Sequence, residues 1–240
     1  MLKLPGVTLV LRDVLCHELA RLAVTDSLAL VKPEKTIIFS DVDLNVAATE
    51  WVKVPRWCTL MEHCTFFWHE QHKYIKTPHF ISIEWDGWII DSEQWTDEFL
   101  EYDFVGAPWW YSDGLNVGNG LGLRSNALMK FLSDHRDKFP VRAKEDEVLG
   151  RLYRPALEKN SFKWPDEKLA SRFAFECVRP AVWSKHFMFH DSSNFPAVLS
   201  AKRLHERVGL MRANPYICAG HKLQELEQGR KAMILDRLGW

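Results

Sequence analysis

The chain has 240 residues, of which 47% are hydrophobic and 26% are charged, so intrinsic disorder over most of its length is excluded. The 31 Lys and Arg residues nearly balance the 32 Asp and Glu residues, and the resulting net charge of −1 gives no basic field for binding nucleic acid. No apolar run reaches the roughly 18 residues of a membrane span, and the first residues lack a signal-peptide cleavage site. We therefore expect a cytoplasmic protein without a transmembrane segment.

The first forty residues predict the start of an α/β fold with a parallel sheet. Residues 7–11 form a continuous apolar run of strand length. Asp13 is then expected to cap a helix, and residues 36–39 predict a second buried strand. A strand, a helix and a strand joined by short links are typical of this fold class. Asp41 directly follows the second strand, at the edge where ligands of open α/β sheets bind.

The later part of the chain continues this alternation of helices and strands, with no linker that requires a second domain. We predict helical segments over residues 59–75, 97–101, 124–139, 145–153 and 220–238, and strands over residues 79–84, 104–105, 173–176 and 187–189.

The five cysteines are odd in number and scattered, so we expect reduced, mostly buried thiols rather than a disulfide framework or a zinc site. They are Cys16, Cys58, Cys64, Cys177 and Cys218. Trp is abundant, with 11 residues. Because sugar rings stack on flat apolar faces, part of the Trp-rich stretch at residues 85–110 is expected to form a stacking platform and the rest to lie in the core.

Glu84 and Asp86 lie two residues apart at the end of a predicted strand, where such side chains point to the same face. Two neighbouring carboxylates repel each other unless a cation lies between them, and Mg²⁺ or Mn²⁺ is the usual hard ion beside phosphate oxygens. The alternative is a solvated strand end, followed by the Asp-Gly turn that begins at Asp86.

Residues 117–125 contain three glycines, which allow a ligand to approach the backbone closely. The segment lacks the Gly-Lys-Ser/Thr of a P-loop and the strand-first context of a dinucleotide fingerprint. Two interpretations remain: a surface turn, or a floor beneath a sugar or an acceptor with Asn119 as a hydrogen-bond donor.

Two further groups contain acids and a histidine. Glu145, Asp146 and Glu147 start a predicted helix, where acids complement the helix dipole or where one of them acts as a general base. His190 closes an aromatic strand and is interpreted as a metal ligand, a base or a hydrogen-bonded core residue.

The order of these features resembles the GT-A glycosyltransferase fold, and more closely the glycosyltransferase-like DUF5672 family. The resemblance runs from about residue 7 to residue 195 and is most specific in the Tyr-Asp-Phe-Val-Gly-Ala-Pro-Trp string. Glu84 departs from the pattern, because the family more often has Gln there and GT-A enzymes generally have Asp. Leu121 also departs from it, because it interrupts an expected Gly-Gly pair. The first departure bears on metal dependence and the second on the width of the acceptor floor. The segments that carry the resemblance are residues 83–91, 99–109, 118–125, 145–147, 172–176 and 187–190.

The resemblance implies roles for individual residues. Asp86 is implied as the ligand of a divalent cation, Mn²⁺ or Mg²⁺, on the donor diphosphate. Glu84 is a second or outer-sphere ligand, and His190 completes the coordination. Asp146 is implied as the base of an inverting transfer, and Glu145 as an alternative base or an acceptor-binding residue.

The resemblance also implies residues that bind the two substrates. Asp41 is expected to contact the nucleoside of the donor, and Asn119 and Gly120 to line the donor sugar. Trp109 is assigned to the acceptor.

Together these inferences predict a single α/β domain of GT-A-like architecture over residues 1–200, with a mixed, mainly parallel central sheet flanked by helices. A C-terminal helical extension over residues 201–240 is expected to pack on the same domain. The predicted activity is transfer of a sugar from a nucleotide-sugar donor to the hydroxyl of a glycan or another acceptor, in polysaccharide or glycan assembly. The alternatives are a non-catalytic nucleotide-sugar or carbohydrate-binding protein on the same scaffold, and a metal-dependent donor hydrolase. Nucleic acid is not an expected partner, and the sequence leaves oligomer formation open.

Overall fold

The computed structural model describes residues 1–57, 59–142, 144–176, 185–218, 223–224 and 226, without the side chains of Asn119 and Cys218. The strands of these residues are β1 (Leu2–Arg12), β2 (Val31–Ser40), β3 (Glu50–Lys53), β4 (His79–Ile83), β5 (Phe104–Pro108), β6 (Val117–Ser125), β7 (Ala174–Phe175) and β8 (Met188–Phe189). The α-helices are α1 (His17–Leu30), α2 (Leu60–His69), α3 (Asn126–Asp134), α4 (Glu145–Glu147), α5 (Arg154–Glu158), α6 (Glu167–Phe173), α7 (Phe195–Val198), α8 (Ala201–Ala213) and α9 (Pro215–Cys218).

Six of the strands form one sheet in the order β3-β2-β1-β4-β6-β5. β1 pairs in parallel with β2 and β4, and β2 pairs in parallel with β3. β6 runs antiparallel to both β4 and β5. The carboxyl ends of β1, β2 and β4 therefore meet the beginning of β6 at one edge of the sheet. The predicted α/β fold with a mixed, mainly parallel sheet is confirmed.

The sheet is buried on both faces, because alternate residues of its strands enter two different cores. Leu9 and Leu11 of β1 pack in one core with Leu19 of α1. Val10, between them, packs in the other core with Phe67 of α2. A strand covered on both faces requires a continuous apolar run rather than an alternating one, which explains why the apolar run predicts β1 correctly.

The predicted cap of the first helix is wrong. Asp13 Oδ1 accepts hydrogen bonds from the N–H groups of Leu15, at 3.0 Å, and Cys16, at 2.6 Å. Helix α1 then begins at His17, with Cys16 at its N-cap. The short carboxylate therefore forms a turn before the helix instead of capping the helix itself.

The glycine-rich segment is a strand, β6, rather than a surface turn. A Cβ on Gly122 would lie 1.9 Å from Val105 O of the neighbouring β5. The two backbones are thus too close for any side chain at this position, and glycine permits the approach.

Helix α8 packs against α1 through a buried charge. Arg207 is 1% exposed, and its guanidinium donates a hydrogen bond to Asp26 of α1 at 2.5 Å. The same guanidinium lies 4.0 Å from the ring centroid of Trp88, and Arg203 also pairs with Asp26. The predicted helix over residues 220–238 lies outside the described residues, apart from residues 223, 224 and 226.

Cys16 and Cys64 are free and buried, as expected for reduced thiols. Cys58, Cys177 and the side chain of Cys218 lie outside the described part of the chain. Among the described helices, none combines the length and the apolar character needed to cross a membrane.

Candidate functional site

Glu84 and Asp86 lie in a tight turn directly after β4, at the carboxyl edge of the sheet. The Glu84 N–H donates to Gly87 O at 2.9 Å, and the Gly87 N–H donates to Glu84 O at 3.2 Å. A Cβ on Gly87 would lie 2.7 Å from Phe189 O, so glycine allows the turn to pack against β8. The two acids therefore converge through a turn and not, as predicted, as alternate residues of a strand.

His190 follows β8 and faces this turn. Its Nε2 atom lies 3.6 Å from Asp86 Oδ1 and 3.9 Å from Glu84 Oε2. One potential ligand atom from each of the three residues lies within 4.8 Å of the other two. Two carboxylate oxygens and one imidazole nitrogen suit Mn²⁺, and the carboxylates also suit Mg²⁺. The three residues implied as metal ligands thus lie together, and their donor set fits a divalent cation.

Glu176 contacts the opposite side of the His190 ring, and no site role was predicted for it. Its Oε2 atom lies 3.2 Å from His190 Nδ1. Phe175 of β7 pairs in parallel with Phe189 of β8, so the residues that follow them are neighbours. The sequence signal was an acid after one short aromatic strand and a histidine after another, and it becomes informative only once the two strands are known to pair.

Arg12, the last residue of β1, places a buried positive charge beside Glu84. Its Nη2 atom lies 3.7 Å from Glu84 Oε1. Other N–H groups of the guanidinium donate to Gln71 Oε1 at 2.6 Å and to His63 Nε2 at 3.2 Å. Arg12 was not predicted as a site residue, because the sequence shows only a charged residue at the end of an apolar strand.

The buried charges change the proton affinities of this cluster. Burial raises the pKa of Glu84 to about 7, although the charges of His190 and Arg12 act in the opposite direction. Burial alone would lower the pKa of His190, but the charge of Glu176 and the contacts with Asp86 outweigh it and raise that pKa well above its usual value. The free cluster therefore holds protons that a divalent cation would displace on binding.

Glu145 and Asp146 occupy the single turn α4, which continues into a π-helical turn over Val148–Leu152. Asp146 Oδ2 accepts a hydrogen bond from the Gly120 N–H of β6 at 3.0 Å. Burial, and then the charge of Asp146, raises the pKa of Glu145. A Cβ on Gly120 would lie 2.4 Å from His190 Nδ1. Gly120 therefore contacts both Asp146 and His190, so only this one residue lies between Asp146 and the metal-ligand cluster.

A cleft of 360 Å³ opens beside the acid turn, and its lining includes Arg12, Trp57, His63 and Glu84. The ring centroids of Trp57 and His63 lie 5.1 Å apart. Burial and the charge of Arg12 lower the pKa of His63 to about 3, so its ring is neutral at pH 7. The cleft thus joins an aromatic wall to the carboxylate of Glu84, and its volume is within the range of small-molecule sites.

For two predicted donor-binding residues, Asp41 and Asn119, the structure describes no contact with this cleft. Asp41 Oδ1 lies 2.7 Å from His17 Nε2, and neither residue lines the cleft. The side chain of Asn119 lies outside the described structure, although its backbone belongs to β6. The roles of both residues stay predictions.

The aromatic pair at the end of β5 divides between core and surface. Trp109 is 8% exposed and packs against Gly150, where a Cβ would lie 2.8 Å from its ring, whereas Trp110 is 70% exposed. The acceptor role of Trp109 stays a prediction. Leu121 is buried and lies against the position that a Gly87 Cβ would take, so the side chain that departs from the family pattern points into the core.

Among the solved structures that resemble the chain are two glycosyltransferases of low sequence identity. One is the apo form of the glycosyltransferase GlyE of Streptococcus pneumoniae TIGR4, with 10% identity and a TM-score of 0.46 over 76% of this chain and 53% of that one. The chain therefore spans about half the length of GlyE. The other is a glycosyltransferase involved in the glycosylation of the major capsid of PBCV-1, with 11% identity and a TM-score of 0.49 over 85% of this chain and 98% of that one.

No curated protein sequence matches the chain. Residues 54–189, more than half of the chain, match the model of a family described as "Protein of unknown function (DUF5672)". The match includes Glu84, Asp86, Asp146 and Glu176, and it ends one residue before His190. The chain belongs to the DUF5672 family.

Proposed function

We propose that the protein is a metal-dependent glycosyltransferase that moves a sugar from a nucleotide-sugar donor to the hydroxyl of a glycan or a similar acceptor. One observation carries the proposal: Glu84, Asp86 and His190 converge on one point at the carboxyl edge of the sheet, between a cleft and a second acidic pair. The resemblance of the motif order to GT-A enzymes supports the same activity.

The metal-ligand cluster provides the means to hold a charged donor. Glu84, Asp86 and His190 would bind Mn²⁺ or Mg²⁺, and the ion when bound supplies positive charge opposite the departing diphosphate. The positively charged Arg12 side chain lies 3.7 Å from the Glu84 carboxylate and holds it in place by ion pairing. The cleft offers the nucleoside an aromatic wall at Trp57, which is 8% exposed, beside the neutral ring of His63.

Asp146 is proposed as the base that takes the proton of the acceptor hydroxyl. Its Oδ2 atom is held by the Gly120 N–H at 3.0 Å, which fixes the carboxylate and leaves Oδ1 to accept that proton. Glu145 lies next to it with a pKa raised by burial and by the charge of Asp146, which strengthens it as a base, and it is the competing candidate for base or acceptor binding. One base suffices for direct displacement at the anomeric carbon, so inversion is the proposed stereochemistry.

The proposal is tested by measuring sugar transfer from a panel of nucleotide-sugars, with Mn²⁺ and with EDTA, for the wild type and matched variants. Asp86→Asn and Asp146→Asn change one charge each with little change in volume, and Asp137→Asn makes the same change at an exposed position. We expect transfer to require Mn²⁺, to be lost in the first two variants and to persist in Asp137→Asn. Full transfer by both site variants would refute the assigned roles.

The same panel separates the alternative functions. Binding of a nucleotide-sugar with no turnover on any acceptor would identify a binding protein instead of an enzyme. Release of free sugar at a rate that no acceptor increases would identify a donor hydrolase. An anomeric assignment of the product by NMR tests the proposed inversion.

A further inference from the structure

Glu176 and His190 are held side by side by the main chain, before any side-chain contact is considered. They follow the paired residues Phe175 and Phe189, and the His190 N–H donates to Phe175 O at 3.0 Å. The side-chain amide of Asn194 also donates to both Glu176 O, at 3.0 Å, and His190 O, at 2.6 Å. The separation of the two residues is therefore set by the backbone.

The two side chains meet through a single pair of atoms. Glu176 Oε2 lies 3.2 Å from His190 Nδ1, and the side chains are 12% and 18% exposed. Neither atom has a hydrogen-bond partner in the described part of the chain, so the two atoms meet as a close charge contact rather than in good hydrogen-bond geometry. A carboxylate oxygen only accepts, so a small rotation that turns this contact into a hydrogen bond needs the hydrogen on the ring nitrogen Nδ1.

Glycine leaves the space that this contact occupies. Gly120 has φ of +60°, and a Cβ there would lie 2.2 Å from Glu176 Oε2 and 2.4 Å from His190 Nδ1. A side chain at this position would separate the two atoms. Glycine at position 120 therefore leaves the space in which Glu176 and His190 contact each other, next to the proposed metal ligands.

We propose that Glu176 is a positioning residue: it holds His190 with the proton on Nδ1, so that the unprotonated Nε2 is presented to a divalent cation shared with Glu84 and Asp86. His190 Nε2 already lies 3.6 Å from Asp86 and 3.9 Å from Glu84. A carboxylate behind a ligating histidine fixes the ring orientation and the tautomer. The inference rests on the proposed function for the presence of the cation, but it concerns a residue to which that function assigns no part.

The first test is a calorimetric titration of the metal-free protein with Mn²⁺. Glu176→Leu removes the acceptor, Glu176→Gln keeps an acceptor oxygen, and Asp191→Asn removes the same charge next to His190 while keeping the oxygen that accepts the Ser193 N–H. We expect Glu176→Leu to weaken Mn²⁺ binding about 10–100-fold. Glu176→Gln should retain most of the affinity, and Asp191→Asn should match the wild type.

The second test needs no variant and therefore does not depend on the stability of Glu176→Leu. In the wild type loaded with Zn²⁺, a diamagnetic ion that binds imidazole, ¹⁵N NMR of the imidazole should show the His190 proton on Nδ1 and none on Nε2. A proton on Nε2 would overturn the proposal.

The titration has two contrary outcomes that differ in meaning. Wild-type affinity in Glu176→Leu, or an equal loss in Asp191→Asn, would remove the role of Glu176 and leave the metal site intact. No Mn²⁺ binding by the wild type would overturn the metal site of the proposed function, and this assignment with it.

Discussion

Replacing Gly120 with Ala tests whether the contact between Glu176 and His190 requires a residue without a side chain at position 120. The substitution combines two effects. An L-residue at φ of +60° is strained, at about 1–2 kcal/mol. The new Cβ would also lie 2.2 Å from Glu176 and 2.4 Å from His190, far inside van der Waals contact, and overpacking of this kind adds about 1–3 kcal/mol.

Gly114 supplies the matched control for the strain alone. It has φ of +79°, and a Cβ there would meet nothing within 4 Å. Gly114→Ala should therefore lower the free energy of unfolding by about 1–2 kcal/mol, and Gly120→Ala by about 2–5 kcal/mol. Urea denaturation of both variants and the wild type measures the difference, and Mn²⁺ titration should show weaker binding only in Gly120→Ala.

Equal losses of stability in the two variants, with unchanged Mn²⁺ affinity in Gly120→Ala, would refute this reasoning. That result would mean that Glu176 and His190 move aside freely, so that the contact between them is not fixed by its surroundings.

Three further predictions concern stability and acceptor binding. Burial raises the pKa of Asp13 to about 6 from 3.8. Between pH 6 and pH 3.8 the folded state therefore binds a proton that the unfolded state does not bind. The free energy of unfolding of the wild type consequently gains from this group as the pH falls from 6 to 3.8. Asp13→Asn keeps the acceptor oxygen and should be more stable than the wild type at pH 7.5, by at most about 3 kcal/mol, with a gain that shrinks at pH 4.5 in urea denaturation; a gain independent of pH would contradict this. Trp110→Ala should raise the acceptor KM about 2–10-fold, for a stacking contribution of about 0.5–1.5 kcal/mol, because its ring is 70% exposed and free to stack; an unchanged acceptor KM, or weaker donor binding instead, would count against stacking. Gly209→Ala, in α8 with nothing within 4 Å of the new Cβ, should stabilise the fold by about 0.5–1 kcal/mol; any loss of stability would show that α8 is not a regular helix at that position.

The strands β1 and β2 were predictable from the sequence, because burial on both faces leaves a continuous apolar run such as that of β1. β3 was not predicted: Glu50–Lys53 is a short edge strand whose residues are partly or fully exposed, so it carries no apolar pattern. The glycine-rich β6 was not predicted as a strand: its glycines left a surface turn and a floor beneath a ligand as the two interpretations, and only the close approach of a neighbouring backbone explains glycine in a strand here.

The residues of the candidate site that are close together in the sequence were predictable, and those that only the folded structure brings together were not. Glu84 and Asp86 lie two residues apart in the sequence, so a cation site could be raised from them as one of two interpretations, beside a solvated strand end. Glu176 is brought beside His190 by the pairing of two-residue strands, which are too short to leave a periodicity in the sequence. Arg12 was missed for a related reason, since its partners His63, on α2, and Glu84, in the turn after β4, are distant along the chain.

A thermal-shift measurement with nucleoside diphosphates and Mn²⁺ tests the central claim most directly, that Glu84, Asp86 and His190 bind a divalent cation beside the donor cleft. A ligand at a hundredfold excess over its dissociation constant stabilises the folded state by about 2.7 kcal/mol, which corresponds to a rise in Tm of about 5–11 °C for a domain of this size. We predict such a rise for at least one nucleotide in the presence of Mn²⁺, and none in Asp86→Asn. An unchanged Tm of the wild type with every nucleotide, with and without Mn²⁺, would contradict the claim.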